Sequence, residues 1–141
     1  MTKRIAIYEP YEGLRESLNL ILEDYNLFHA NEPVPFLNLL TLLDNIDLII
    51  IDVDFAEEPL EFLRLVRKKY ATEQRILLLS TNFKLEFQEA VIRTGTGFSF
   101  KQKPFASELL EYIQILLGDR PSKPVNTTIR ISPSGQIDIQ E

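Results

Sequence analysis

Short apolar segments alternate along this chain with helical patterns of apolar residues, and this alternation constrains the fold more than any other feature of the sequence. Five segments of strand length occur, and each is followed by a stretch in which apolar residues recur every three or four positions. Two of the segments, residues 48–51 and 76–79, are apolar at every position. Such runs are typical of strands that are covered by helices on both faces. Strict alternation of strands and helices predicts a parallel sheet with right-handed crossover connections.

The five β-α units predict a specific strand order. Strands are expected at residues 5–8, 27–30, 48–53, 76–79 and 98–100. We expect the second helix to begin at Pro35, the fourth at Phe83, and the last to end at Gly118. Five such units within residues 1–118 predict a flavodoxin-like doubly wound (βα)5 fold, a three-layer sandwich around a parallel sheet of order 2-1-3-4-5. In that fold the functional site lies at the carboxyl ends of the strands.

The end of the chain has a different pattern. Residues 119–126 contain two prolines and are predicted to be a linker, and residues 127–141 alternate apolar and polar side chains around Pro133, Ser134 and Gly135, which predicts a β-hairpin. The isoleucines of this hairpin would share one face, which needs cover because a two-stranded hairpin is marginally stable in water. Folding back onto the same chain and pairing with the hairpin of a second chain would both supply that cover. The stiff linker favours the second arrangement, a homodimer.

Composition excludes several classes of protein. The sequence contains no cysteine, which excludes disulfides, thiolate metal sites and cysteine nucleophiles. The net charge of −6 argues against nucleic acid as a direct partner. No stretch approaches the roughly 18 apolar residues of a membrane helix, and the start of the chain lacks the apolar core of a signal peptide. We therefore expect a cytoplasmic protein that does not bind membranes.

Polar side chains follow four of the predicted strands at the point where each strand ends. They are Glu9, Asp52 with Asp54, Ser80 and Lys103. Carboxylates bind hard cations such as Mg²⁺, which takes one or two protein carboxylates and keeps several waters. An aspartate beside a cation and a lysine can attack phosphorus and form an aspartyl phosphate. Two structural interpretations also remain: Asp52 could cap a following helix, and Ser80 could satisfy a backbone group at a strand end.

The order of these residues resembles the receiver domains of bacterial two-component response regulators, such as the chemotaxis regulators. The resemblance covers residues 3–118 and rests on DLIIID at residues 47–52, LLLS at residues 77–80, KPF at residues 103–105 and Arg15 in the first helix. It implies a non-enzymatic phosphoprotein of phosphorelay signal transduction. A histidine kinase or phosphotransfer protein would donate the phosphoryl group. The face formed by the fourth helix, fifth strand and fifth helix would then change its binding to a downstream effector protein.

The resemblance also implies a role for individual residues. Asp52 takes the place of the phosphoacceptor, Lys103 that of the lysine that contacts the phosphoryl group, and Ser80 that of the switch hydroxyl. Phe100, or Phe98 if the segment has shifted, takes the place of the aromatic residue that reorients with this hydroxyl.

The sequence departs from the receiver pattern at the acid pair. Receivers carry two adjacent carboxylates after the first strand, whereas Glu9 is followed here by Pro10, which has no side-chain ligand for a cation. The expected Mg²⁺ site, with Glu9, Asp52 and Asp54 as candidate ligands, is therefore weak or absent. This departure supports an alternative function, an atypical pseudo-receiver that acts as a phosphorylation-independent protein interaction module. The intact Asp52, Ser80 and Lys103 favour the phosphorylated switch.

Overall fold

The computed structural model describes residues 2–69, 75–95, 97–103, 108–119, 128–131 and 137–140. Its elements are β1 (Arg4–Tyr8), α1 (Glu12–Ile21), β2 (Asn26–Ala30), α2 (Pro33–Leu42), β3 (Leu48–Asp52), a 3-10 turn (Val53–Phe55), α3 (Pro59–Lys69), β4 (Arg75–Ser80), α4 (Leu85–Thr94), β5 (Phe98–Gln102), α5 (Glu108–Leu116), β6 (Thr128–Ile131) and β7 (Ile137–Gln140). The first five strands form one parallel sheet in the order β2-β1-β3-β4-β5. The predicted doubly wound fold and its strand order are therefore confirmed.

Two helices begin at residues other than those predicted. α2 begins at Pro33 rather than Pro35, with Glu32 extended at the N-cap. Both prolines fit, because the first turn of a helix has no intrahelical N–H bonds for proline to remove. α4 begins at Leu85, so Phe83 lies in the segment before the helix. In the described part of the chain, no helix combines the length and apolarity needed to cross a bilayer.

The third strand also ends earlier than predicted. β3 stops at Asp52, and the next residues form the 3-10 turn instead of continuing the strand to Val53. The Asp52 side chain caps this turn by accepting a hydrogen bond from the backbone N–H of Asp54 at 3.0 Å. The Asp52 side chain thus replaces a hydrogen bond of the strand pairing, and the chain changes direction at the edge of the sheet.

The two faces of the sheet pack against different helices, and these helices form the outer layers of a three-layer sandwich. One face packs against α2, α3 and α4 through Phe36, Leu40, Phe62, Leu63, Val66 and Val91. The other packs against α1 and α5 through Leu18, Leu22, Leu109 and Ile113. Every residue of β3 is buried. Burial of each Leu or Ile side chain contributes roughly 1.5–3 kcal/mol to folding. The buried centre of the sheet therefore holds the polar groups at its edge in fixed positions.

The end of the chain contains the predicted antiparallel pair. β6 and β7 pair with Ile129 opposite Ile139 and Ile131 opposite Ile137. Residues 120–127 and 132–136 lie outside the described residues, and they hold the predicted turn and all of the predicted linker except Asp119. Cα atoms of β7 lie within 8 Å of Cα atoms of α5 in the same chain. The hairpin thus approaches its own domain, which is the arrangement that the linker prolines disfavour, and the predicted homodimer stays a prediction.

Candidate functional site

Asp52 lies at the centre of the polar edge of the sheet and has no exposed surface. Its Oδ2 accepts a hydrogen bond from Lys103 Nζ at 2.7 Å, and its Oδ1 accepts the N–H of Asp54 at 3.0 Å. The carboxylate therefore caps the 3-10 turn and also forms a buried ion pair. The structural and the chemical interpretations of Asp52 are compatible with each other.

Lys103 reaches the site from the residue that follows β5. Its backbone N–H donates to the carbonyl of Ser80 at 2.7 Å, which extends the pairing of β4 and β5 by one step. Its Nζ lies 2.7 Å from Asp52 and 3.0 Å from Asp54 Oδ2. Burial by itself lowers the pKa of this ammonium, but the hydrogen bonds and charges of the two aspartates outweigh burial and raise the pKa above its ordinary value. The two aspartates thus favour the charged form of Lys103, which lies between their carboxylates.

The Asp54 carboxylate binds three donors. Ser80 Oγ donates to Asp54 Oδ1 at 2.5 Å, and the N–H of Thr81 donates to Oδ2 at 2.9 Å, alongside the contact from Lys103. Partial burial raises the pKa of Asp54, but these three donors outweigh burial and hold the pKa below its usual value. Ser80 Oγ also accepts the N–H of Asn82 at 3.2 Å, so the predicted backbone role of Ser80 exists beside its contact with Asp54.

Glu9 is the second fully buried carboxyl group at this edge. Its Oε2 accepts the N–H of Tyr11 at 3.3 Å, and its Oε1 is buried with no hydrogen-bond partner among the described residues. Burial, followed by the hydrogen bond and the negative charge of Asp52, raises the pKa of Glu9 to about 8. Burial and the neighbouring Asp52 charge therefore favour the protonated form of Glu9 near neutral pH.

The loop that leaves β1 is held by Arg15. The Nη1 atom of Arg15 donates to the carbonyls of Glu9 and Pro10, each at 3.0 Å. This contact gives a physical reason for an arginine at this distance from Glu9. It fixes the backbone of the loop that carries Glu9 and Pro10.

Two exposed aromatic rings border the site, and neither was predicted to belong to it. Tyr11 and Phe55 stack with centroids 6.3 Å apart and planes at 13°. Lys103 Nζ lies 5.3 Å from the centroid of Phe55. Tyr11 is two residues beyond Glu9 and Phe55 three beyond Asp52, but only the paired strand ends bring the two rings together.

The two candidate switch aromatics have different surroundings. Phe100 packs edge-on against Phe83 with centroids 5.2 Å apart, and Phe83 lies three residues after Ser80. Phe98 instead lies under the guanidinium of Arg67, 4.7 Å from its centroid. Phe100 is therefore the aromatic residue on β5 that contacts the segment leading from Ser80. Pro104 and Phe105, which complete the Lys-Pro-Phe motif, lie outside the described residues.

The residues present fit a cation such as Mg²⁺ at two carboxylates. Glu9 has a buried oxygen without a partner, and it adjoins the Asp52 carboxylate. Both are hard oxygen ligands, and Mg²⁺ commonly takes one or two such groups with water in its other positions. Asp54 is committed to Ser80, Thr81 and Lys103. Within the described residues no group of three His, Cys, Asp or Glu side chains is arranged to hold a metal.

No protein-family model matches the sequence, and no curated protein is significantly similar to it. Solved structures share its fold. The chemotaxis protein CheY4 of Vibrio cholerae matches with a TM-score of 0.72 and 24% identity, over 82% of this chain and 99% of that chain. A response regulator from Thermotoga maritima matches with a TM-score of 0.72 and 20% identity, over 84% and 100%. The beryllofluoride-activated NtrC4 receiver domain dimer matches with a TM-score of 0.71 and 19% identity, over 83% and 98%. The chain thus has the fold of the CheY-like receiver domains of response regulators.

Proposed function

We propose that the chain is a receiver domain of a two-component system and that Asp52 accepts a phosphoryl group from a histidine kinase or a phosphotransfer protein. The observation that carries this proposal is the buried ion pair at the strand ends, in which Lys103 Nζ lies 2.7 Å from Asp52 Oδ2. A buried carboxylate held beside a fixed ammonium has the geometry needed to take up a phosphoryl group, whose added charge the ammonium offsets. The shared fold with receiver domains adds support.

The transfer would form one bond and break one. A carboxylate oxygen of Asp52 attacks the phosphorus of a phosphohistidine, the new O–P bond replaces the P–N bond, and the imidazole leaves with the electron pair and takes up a proton. Lys103 offsets the charge on the transferring oxygens. Because Asp52 has no exposed surface, the donor needs an opening in the loops that carry Tyr11 and Phe55.

A divalent cation belongs to this proposal as a weakly held cofactor. Glu9 and Asp52 would hold Mg²⁺, which supplies charge neutralisation at the phosphoryl oxygens when bound. Pro10 offers no ligand, and the raised pKa of Glu9 means that cation binding has to displace a proton. Both features reduce affinity.

The output surface in this proposal lies on α4, β5 and α5. Leu85 and Ile92 are exposed on α4, and Phe100 on β5 packs against Phe83, three residues after Ser80. A change at Ser80 would reach the surface through these rings. We place the protein in the cytoplasm, where it would meet its kinase and a downstream effector protein.

The second candidate function is that of a phosphorylation-independent interaction module with the same output face. Two observations favour it. Pro10 replaces an expected acid, and Asp54 already binds the hydroxyl and the ammonium that would otherwise contact a phosphoryl group.

Chemical labelling separates the two candidates. The full chain is treated with phosphoramidate at high Mg²⁺ concentration, and its intact mass is measured. The expected result is addition of one phosphoryl group to the parent protein and to a control in which the exposed Asp24 is replaced, Asp24→Asn. Asp52→Asn should abolish the addition, because an amide is not a competent nucleophile. Labelling that persists in Asp52→Asn would identify another acceptor, and a parent protein that is never labelled would leave the interaction module as the function.

A further inference from the structure

We propose that the Asp54 carboxylate is an internal substitute for the phosphoryl group: it occupies the donors that would bind phosphoryl oxygens and has to leave them before Asp52 can be phosphorylated stably. This inference rests on the proposed function, because it names the regulation of the same site. The sequence predicted Asp54 only as a candidate ligand of the Mg²⁺ site.

The geometry at Asp54 is that of an anion bound in a prepared site. One carboxylate oxygen takes the Ser80 hydroxyl at 2.5 Å, and the other takes the Thr81 N–H at 2.9 Å and the Lys103 ammonium at 3.0 Å. A hydroxyl, a backbone N–H and an ammonium are the donors that bind phosphoryl oxygens in proteins. The side chain of Asp54 is about one-quarter exposed, at 23%. Asp54 is therefore more accessible to solvent than Asp52, whose side chain has no exposed surface.

The position of Asp54 follows from the 3-10 turn. Asp52 caps this turn through the N–H of Asp54, so the turn places the two side chains beside each other and beside Lys103. A phosphoryl group on Asp52 would carry its oxygens toward the same ammonium that Asp54 now contacts. Two anions cannot both saturate these donors, so the carboxylate and the phosphoryl group compete.

The same contact has a consequence for the switch. Ser80 Oγ is bound to Asp54 in the unmodified protein, whereas a switch hydroxyl is expected to be drawn into the site only by a phosphoryl group on Asp52. The carboxylate thus opposes phosphorylation and, at the same time, holds the hydroxyl in its engaged position. Removing the carboxylate should make the switch more dependent on phosphorylation.

The test compares Asp54→Ala with the parent protein and with Glu57→Ala. Glu57→Ala is the matched control, because it removes an exposed carboxylate three residues further along the same loop. Each protein is labelled with phosphoramidate and Mg²⁺, and the extent of labelling and the lifetime of the phosphoryl group are followed by intact mass. We expect Asp54→Ala to increase the labelled fraction at equal donor concentration, or the lifetime, by roughly tenfold, the equivalent of ~1.4 kcal/mol. Equal labelling and lifetime in all three proteins would overturn this inference and leave the proposed function standing.

A second measurement does not depend on covalent labelling. In an Asp52→Asn background, inorganic phosphate is titrated while the backbone amide resonance of Thr81 is followed by NMR, with and without Asp54→Ala. We expect phosphate to shift this resonance at about tenfold lower concentration once the Asp54 carboxylate is removed. If no protein is labelled but this difference is found, the proposed function fails, and only the competition between the Asp54 carboxylate and phosphate for these donors stands. If phosphate acts equally with and without Asp54, the internal substitute is wrong.

Discussion

Lys103 Nζ lies 2.7 Å from Asp52 Oδ2, and side-chain exposure is only 8% for the lysine and 0% for the aspartate. Both charged groups lose their hydration on burial, and their mutual attraction offsets this cost only while both are present. Removing one partner therefore leaves the other charge buried and uncompensated. The pair therefore affects the folding of the domain as well as its chemistry.

We expect Lys103→Met to lower the free energy of unfolding by about 3 kcal/mol, because the Asp52 carboxylate would remain buried without its counter-charge. Urea denaturation at pH 7 measures this loss. Adding Asp52→Asn to the same protein should recover much of it, whereas Lys84→Met, which changes an exposed lysine, should have little effect. A loss that Asp52→Asn does not reduce would show that Lys103 stabilises the fold through other contacts.

The buried Glu9 should make stability depend on pH. Its pKa of about 8 in the folded protein lies above the ordinary value of 4.5, so the folded state holds the proton more tightly than the unfolded state does. Stability from this group is therefore fully present below pH 4.5 and is lost as the pH rises through about 8.

Glu9→Gln removes this titration. In metal-free buffer with EDTA, we expect Glu9→Gln to exceed the parent protein in free energy of unfolding at pH 9 by on the order of 3 kcal/mol. The difference should shrink toward pH 5. Denaturant titrations across this pH range measure the effect. An advantage for Glu9→Gln that is independent of pH would mean that Glu9 has an ordinary pKa.

Restoring the missing acid should strengthen cation binding. We expect Pro10→Asp to bind Mg²⁺ at least about tenfold more tightly than the parent protein, since Mg²⁺ gains a carboxylate beside Glu9 and Asp52. Isothermal titration calorimetry measures the affinity. Pro10→Ala is the control for the change in the backbone and should leave the affinity near that of the parent. If Pro10→Asp binds no better than Pro10→Ala, the residue at this position does not face the cation.

Removing the tail tests the two arrangements of the hairpin. Because β7 lies beside α5 of the same chain, we expect deletion of residues 121–141 to lower the free energy of unfolding and to leave the number of chains per particle unchanged. Light scattering coupled to size-exclusion chromatography measures the number of chains, and urea denaturation measures the stability. A shift from two chains to one after deletion would instead support the hairpin-mediated dimer that the linker prolines favour.

The sequence by itself determined the sheet and the residues at its edge. The apolar runs in β3 and β4 are stable only when helices cover both faces of the sheet. Because strands and helices alternate strictly along the chain, the strands are then parallel. Since parallel strands end at one edge, the positions of Glu9, Asp52, Ser80 and Lys103 followed from their places in the chain. Both conclusions depend only on the spacing of apolar residues and on the order of strands and helices along the chain, which can be read from the sequence.

Only the tertiary structure decided how these groups are connected. Asp54 binds Ser80 and Thr81, which are 26 and 27 residues away, because a 3-10 turn replaces the end of a strand and swings the side chain toward β4. The raised pKa of Glu9 likewise comes from burial against Asp52 on a neighbouring strand. Such contacts depend on angles and distances of about 3 Å between separate elements, and local sequence does not encode distances of that kind.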